Sequence, residues 1–191
     1  MRYFHSLPAL TLILALWLLP GAGMASAQQL AIKGNALSLA AMTPDLGLEL
    51  VTGENTSLSV SVSGHNKPYG LKSRMLLLQP EFRYWFNGRP LIREYVGIGA
   101  LAASYDTTVS SQVYSGNAIA LGITGGYVFG LGPRLSLELS AGVGVAVYRQ
   151  KQYWEHDSYD EYFFGRPTSV NSHGYMLIPI KAAVTLIYII R

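Results

Sequence analysis

The sequence predicts an all-β protein, an eight-stranded antiparallel up-and-down transmembrane β-barrel. Three observations lead to this prediction: one long alternating strand, an export signal, and the lack of any later apolar run that is long enough for a membrane helix. In residues 134–148, the odd positions are apolar and the even positions are mostly polar, glycine or alanine. A period of two held over this length matches a tilted strand that crosses a bilayer.

The first residues of the chain have the organisation of a secretory signal peptide. Arg2 supplies a positive charge, residues 7–19 are apolar, and Ala25-Ser26-Ala27 provides a small-residue cleavage site. We therefore expect a signal peptide over residues 1–27 and one outer-membrane barrel domain over residues 28–191, in a Gram-negative bacterium. An uncleaved anchor helix is the alternative, but the apolar run is short for a helix that spans a membrane.

The composition excludes several classes of protein. The chain has no cysteine, which removes disulfides, thiolate metal sites and cysteine nucleophiles. Its 14 Lys and Arg residues against 11 Asp and Glu are scattered singly, which argues against a nucleic-acid surface. Half of the residues are hydrophobic, yet the longest apolar stretch after the signal is interrupted by Pro179 and Lys181. A closed barrel is then the natural way to place apolar surface in lipid.

Alternation and turn residues divide the exported chain into eight predicted strands. These are residues 31–41, 45–52, 57–63, 72–86, 94–105, 116–129, 134–149 and 175–190. The second, fourth and sixth connections are short, whereas the third, fifth (residues 106–115) and seventh (residues 150–172) are longer. Short periplasmic turns that alternate with longer external loops are typical of outer-membrane barrels, and they place both termini in the periplasm. Only the first connection, around Thr43-Pro44, departs from this pattern by being short.

One face of each predicted strand is apolar and is expected to contact lipid. Its members are Leu46, Leu48, Leu50, Leu58, Val60, Val62, Leu76, Leu78, Phe82, Tyr84, Phe86, Ile119, Leu121, Ile123, the odd positions of residues 135–147, Ile178, Ile180, Val184, Leu186, Tyr188 and Ile190. Aromatic residues of this face fall near the periplasmic ends, where such rings bridge hydrocarbon and water. The opposite face carries small residues, which suit a crowded lumen better than the surface of a soluble sandwich or lipocalin, the alternative fold.

Six charged residues share the predicted lumen face. They are Glu49, Glu81, Arg83, Arg134, Glu138 and Lys181. Three are acidic and three are basic, and buried charges persist when partners compensate for lost hydration. We predict a balanced network that seals the lower half of the lumen, with a catalytic role as the alternative. A lumen filled in this way also disfavours a conducting channel.

The sequence predicts no catalytic residues, no metal site and no cofactor. After the signal, the only histidines are His65, His156 and His173, all in predicted external loops. The run His156-Asp157-Ser158 has the residue types of a hydrolytic triad, but consecutive residues do not ordinarily reach triad geometry. Acidic residues near His156 match no known cation-binding loop in their spacing.

The long seventh connection is unusual because aromatic and acidic residues are interleaved in it. The residues of a candidate binding surface are Tyr153, Trp154, His156, Tyr159, Tyr162, Phe163 and Phe164. Exposed aromatic clusters are common at recognition surfaces, although the same residues could equally cover the mouth of the barrel. Both interpretations stay open at this stage.

Two segments carry a family resemblance. Thr-Pro-Asp-Leu-Gly-Leu-Glu at residues 43–49 and Gln-Pro-Glu-Phe-Arg-Tyr-Trp-Phe at residues 79–86 resemble a family of small outer-membrane β-barrel proteins of Gram-negative anaerobes, whose function is unknown. The resemblance implies an exported eight-stranded barrel, sometimes associated with fimbrial or other surface-assembly loci, without catalytic residues to transfer. Glu49, Glu81 and Arg83 occupy its motif positions, so it also implies a shared charge network.

These observations lead to three functional hypotheses. The first is a non-enzymatic outer-membrane barrel that anchors or assists a surface structure, such as a fimbria, or binds a partner through its external loops. The second is a lipid-modifying outer-membrane enzyme, and the third is a periplasmic lipocalin-like carrier. The expected partners under the first hypothesis are outer-membrane lipid and a surface or fimbrial protein, with no nucleic acid.

Overall fold

The computed structural model describes residues 29–154 and 172–190 of the chain. Eight strands account for most of them, and their bounds are β1 (Leu30–Asn35), β2 (Asp45–Val51), β3 (Thr56–Asn66), β4 (Ser73–Trp85), β5 (Arg93–Val109), β6 (Gln112–Gly130), β7 (Leu135–Trp154) and β8 (Ser172–Ile189). The only other regular elements described are the short helix α1 (Ala36–Ala40) and a 3-10 turn at Pro68–Gly70. No helix in the described residues is long and apolar enough to cross a membrane.

The strands form one antiparallel sheet in chain order. Each strand pairs with the next one along the chain, and β1 also pairs with β8, from Ala31 opposite Ile189 to Asn35 opposite Thr185. This last pairing closes the sheet into a barrel. The predicted number, order and direction of the strands are therefore confirmed.

The first predicted strand is wrong over its second half. β1 ends at Asn35, and the chain then forms α1 instead of continuing to residue 41. The Asn35 side chain caps the helix by accepting a hydrogen bond from the backbone N–H of Leu37 at 3.1 Å. Leucine and alanine at every second position look like strand alternation here, but both are strong helix formers, and the asparagine cap decides between the two structures.

The fifth connection is also shorter than predicted. Instead of a loop over residues 106–115, β5 and β6 continue to a two-residue turn at Ser110-Ser111. Both serines have positive φ, 50° and 67°. This is the backbone that a two-residue hairpin needs to match the twist of its strands. The prediction failed because serine gives no strong signal for this turn, unlike Asn-Gly.

A β-bulge changes which residues of β8 face inward. Opposite Gly142 and Val143 of β7, the register skips Ile180, since Gly142 pairs with Lys181 and Val143 with Pro179. Ile180 is consequently 5% exposed and lies in the interior beside Lys181. The prediction that Ile178 and Ile180 face outward is wrong, because the extra residue reverses the alternation above the bulge.

The interior of the barrel contains two apolar clusters. The first consists of Ala31, Trp85, Leu91, Tyr95, Val128 and Ile187 and lies at the end that carries the short turns. The second consists of Ala120, Ala146 and Ile180, with Leu101 and Ile178 against it. Glycines make room for Ile180, because a Cβ atom on Gly144 would lie 2.9 Å from its Cγ2 atom.

Candidate functional site

The candidate site is a charge network in the lumen, with Arg83 of β4 at its centre. Arg83 is 0% exposed. Its Nη1 atom lies 2.9 Å from Oε2 of both Glu49 and Glu138. Its Nη2 atom lies 2.7 Å from Oε2 of Glu81. β2, β4 itself and β7 thus bring one carboxylate each to a single guanidinium, which supplies a planar fork of donors suited to such contacts.

Two lysines complete the network. Lys33 Nζ lies 2.8 Å from Glu49 and 2.6 Å from Glu138. Lys181 Nζ lies 2.5 Å from Glu81 and 3.6 Å from Glu138. With Arg83, these lysines balance the three carboxylates, so the cluster is neutral overall.

Five of the six predicted charges therefore lie together, and Arg134 does not. Arg134 is exposed in the turn between β6 and β7, because β7 begins one residue later than predicted. At this position its side chain stays hydrated beyond the end of the barrel and needs no partner. This part of the prediction is wrong.

Lys33 takes the place in the network that was predicted for Arg134. Over residues 31–41 apolar residues fall at both odd and even positions, so no face of the predicted strand could be assigned to Lys33. The register between β1 and β2 could have identified it. Lys33 lies opposite Gly47, which is on the same face of β2 as the inward-facing Glu49.

Neutral donors fill the remaining hydrogen-bonding capacity of the carboxylates. Ser57 donates to Glu49 at 2.6 Å, Thr124 to Glu81 at 2.5 Å, and Tyr95 to Glu138 at 2.7 Å. Together with the cationic contacts, these bonds give all six carboxylate oxygens a partner. Trp85 donates to Ser57 at 2.9 Å, and the Tyr95 ring stacks on the Arg83 guanidinium at 4.3 Å.

This saturation determines what the network can do chemically. A general acid or base needs an accessible oxygen that can reach a substrate proton. Here every carboxylate oxygen is already engaged, and Glu49 and Glu138 are completely buried. The first apolar cluster lies against the network through Trp85 and Tyr95. The arrangement therefore suits a seal across the lumen.

A polar cavity adjoins the network on the side that faces away from the short turns. Its volume is about 260 Å³. Its polar lining comprises Lys33, Asn35, Ser38, Asp45, Ser59, Ser61, Ser63, Gln79, Glu81, Arg83, Lys181 and Thr185. Gln79 spans the lumen beside it, since its amide donates to the backbone carbonyl of Ile180 at 2.9 Å. No pattern in the sequence predicts this cavity.

Most of the candidate aromatic surface lies outside the described residues, namely His156, Tyr159, Tyr162, Phe163 and Phe164. The structure places Tyr153 and Trp154 at the end of β7, where they pair with Val113 and Gln112 of β6. They belong to a strand and not to a loop, so the prediction is wrong in this respect. β7 is longer than predicted because its pairing with the extended β6 continues to Trp154.

The two histidines that the structure describes, His65 and His173, lie at the ends of strands. His65 lies at the end of β3, with its ring nitrogens 3.0 Å from the hydroxyl oxygens of Thr43 and Ser73. His173 lies at the start of β8, opposite Arg149. Within residues 29–154 and 172–190, no group of three or more histidine or acidic side chains is placed to hold a metal ion.

The comparisons with known proteins identify a family but give no closer relative. No curated protein matches the chain, and neither does any solved structure. A family model described as "Protein of unknown function (DUF3575)" matches residues 11–190. The match agrees with the predicted family of unknown function, while the bacterial source and the strand motif stay predictions. The chain, with its closed β-sheet and central charge network, belongs to the DUF3575 family.

Proposed function

We propose that this protein is a non-enzymatic outer-membrane barrel that anchors or helps to assemble a surface structure, or binds a surface partner. The proposal depends on one observation: apolar and polar side chains are arranged in the reverse of their arrangement in a soluble protein. The outside of the barrel is apolar, and the inside holds a sealed charge network.

The outer surface supports the membrane location. Ile119 and Leu121 are 67% and 64% exposed, and further apolar residues of β6 and β7 are exposed on the same face, among them Ile123, Val143, Val145 and Val147. Monomeric soluble proteins rarely expose an apolar patch of this extent. A lipocalin-like carrier would need the apolar residues to line its lumen, which makes that alternative weaker.

Aromatic pairs support a defined depth in the membrane. Tyr84 and Phe86 lie 5.6 Å apart at the end of β4, and Tyr127 and Phe129 lie 4.6 Å apart at the end of β6. Both pairs lie on the outer surface near the short turns. Rings at this level suit the boundary between hydrocarbon and head groups on the periplasmic side.

The length of the later strands supports contact with a partner outside the membrane. β5 to β8 contain 17 to 20 residues, whereas a barrel strand crosses a membrane with roughly 9–11. The four strands therefore extend beyond the hydrocarbon region as a continuous sheet. Tyr153 and Trp154 lie at its end, and the candidate aromatic segment follows them.

A loop deletion tests the proposed binding role. In cells that express the full-length protein, removing residues 156–164 should abolish in vivo cross-linking to a surface protein. The matched control replaces residues 67–72, in a different external connection, with glycine and serine, and should keep the cross-link. Both variants should still show a heat-dependent gel shift, which reports a folded barrel. A cross-link that survives the deletion would contradict binding through this segment.

A further inference from the structure

The apolar outer surface of β5 to β8 ends in register, toward the ends of these strands that lie away from the short turns. Strand pairing aligns the exposed residues Ala102, Ile119, Val147 and Tyr175 in one row. The next outward row consists of Ser104, Asn117, Arg149 and His173, which are exposed and polar. Such a change from apolar to polar side chains suits the boundary between hydrocarbon and head groups.

Positive charge is concentrated on β7 just beyond this boundary. Arg149 lies opposite His173, and Lys151 is the next residue of β7 on the same face. Toward β6, Arg149 and Lys151 lie opposite the neutral residues Asn117 and Ser115. Arg149, Lys151 and His173 form no salt bridge with any residue that the structure describes. Cations at the level of the head groups attract anionic lipid.

A comparison with β4 shows that this charge is local to β7. Arg74 of β4 is directly opposite Asp106 of β5, so a carboxylate lies beside that cation. Asp106 is in turn opposite Ser115, and Ser115 is opposite Lys151. Two strand spacings, roughly 10 Å, therefore separate Lys151 from Asp106. At that distance salt screens much of the attraction between exposed charges, and the cations of β7 are not balanced in the way that Arg74 is.

A concave pocket borders both the apolar and the polar row. Val147 and Tyr175 line it from the apolar row, and Arg149 and His173 line it from the polar row. Tyr148 and Gly174 complete its described lining. The pocket thus combines an apolar surface on the membrane side with a guanidinium and an imidazole beside it. A ligand that matches both parts is an amphiphile with an anionic head group.

We propose that this pocket binds an anionic, phosphate-bearing lipid of the outer leaflet. Arg149 and Lys151 hold the phosphate, for which the guanidinium offers a fork of N–H donors. The acyl chains lie along Val147 and along Leu177, which is 72% exposed and is the next outward residue of β8 after Tyr175. Two cations favour a phosphate that no cation of the same head group neutralises. The proposal rests on the membrane location proposed above.

The absence of cysteine in the chain allows a single reporter to be placed beside the pocket. Leu177→Cys carries a fluorophore on the membrane side of the pocket. Leu76→Cys is the matched control, because Leu76 is also an exposed, outward leucine and lies next to Arg74 on the outer face of β4. Each full-length variant is inserted into phosphatidylcholine vesicles that contain a small fraction of nitroxide-labelled phosphatidate or nitroxide-labelled phosphatidylcholine. Quenching of the fluorophore measures how often each lipid occupies the neighbouring site.

The labelled phosphatidate should be preferred at Leu177→Cys and not at Leu76→Cys. We expect a preference of about fivefold or more over labelled phosphatidylcholine at the first position, which is the factor that one lysine or arginine near an anionic surface supplies. At the second position the two lipids should quench almost equally. Equal preference at the two positions would overturn a local site on β7 and β8.

Substitution of the cations tests their role in the same assay. Arg149→Gln combined with Lys151→Gln should reduce the preference at Leu177→Cys to nearly one. Arg74→Gln removes a cation of the same outer surface and should leave the preference unchanged. A preference that survives the double substitution, or that Arg74→Gln lowers to the same extent, would overturn the assignment of the phosphate to Arg149 and Lys151.

The two proposals fail in distinguishable ways. If the vesicles do not take up the folded protein at all, the membrane location is wrong, and the lipid site is refuted with it. If the variants insert and show the heat-dependent gel shift but prefer neither lipid, the membrane barrel is retained and only the lipid site is refuted.

Discussion

Arg83 is the residue on which the interior of the barrel depends most. It contacts all three glutamates of the network, so removing its charge leaves three buried carboxylates with only two lysines. Breaking a buried ion pair by removing one partner typically costs about 3–5 kcal/mol. We therefore predict that Arg83→Met strongly lowers the temperature at which the barrel loses its fast-migrating form on a gel.

Arg134 provides the matched control for this substitution. It is exposed in a turn, and surface substitutions away from special features usually change stability by less than about 0.5 kcal/mol. Arg134→Met should leave the transition temperature almost unchanged. Equal effects of the two substitutions would mean that the network does not stabilise the barrel.

The alternation of inward and outward side chains explains which residues of the charge network could be predicted from the sequence. Glu49, Glu81, Arg83 and Glu138 follow strict alternation in strands with clear patterns, so their inward direction was predictable. Lys33 lies in a segment where apolar residues occur at both odd and even positions, so no inward face could be predicted. The hydroxyl donors Ser57, Thr124 and Tyr95 are common residue types, and only the folded barrel brings them to the carboxylates.

At the scale of elements, the bulge in β8 is the feature most open to test. It turns Ile180 inward, where truncation to alanine leaves a cavity, and such changes cost about 2–5 kcal/mol. Ile180→Ala should therefore destabilise the barrel clearly in a thermal gel-shift assay. Ile119→Ala removes the same atoms from the outer surface, and its effect should be much smaller. A larger loss of stability from Ile119→Ala than from Ile180→Ala would place Ile180 on the outer surface and contradict the bulge.

The turn between β5 and β6 gives a second prediction at this scale. Ser110 and Ser111 both have positive φ, a conformation that Asn-Gly adopts with less strain. Replacing the pair with Asn-Gly should raise stability by about 1 kcal/mol, because the left-handed conformation costs an ordinary residue roughly 1–2 kcal/mol and Asn and Gly less. The gain is measured as a higher midpoint of unfolding in urea. A lower midpoint would argue against the two-residue turn and favour the longer loop.

Elements were predictable from sequence where alternation and turn residues agreed. The long strands β6 and β7 show both signals, and their cores were placed correctly. β1 was misjudged because alanine and leucine between residues 36 and 41 fit helix and strand alike, and the deciding asparagine cap is a single side chain. The bulge leaves no mark in the local pattern, since an insertion is visible only against the partner strand.

At the scale of the whole molecule, the filled interior predicts that the barrel does not conduct ions. The charge network and the apolar cluster around Trp85 and Tyr95 occupy the lumen near the short turns. Purified protein in a planar lipid bilayer should therefore show no stable conductance steps under an applied voltage. Regular steps from the intact protein would contradict the sealed lumen.

The polarity of the whole molecule supports our proposal that the barrel lies in the outer membrane. Cells that express the full-length protein should be fractionated, and the outer-membrane fraction run on a denaturing gel with and without boiling. We predict that the protein fractionates with the outer membrane and migrates faster when it is not boiled. Recovery in the soluble periplasm without a heat-dependent shift would contradict the proposed membrane location.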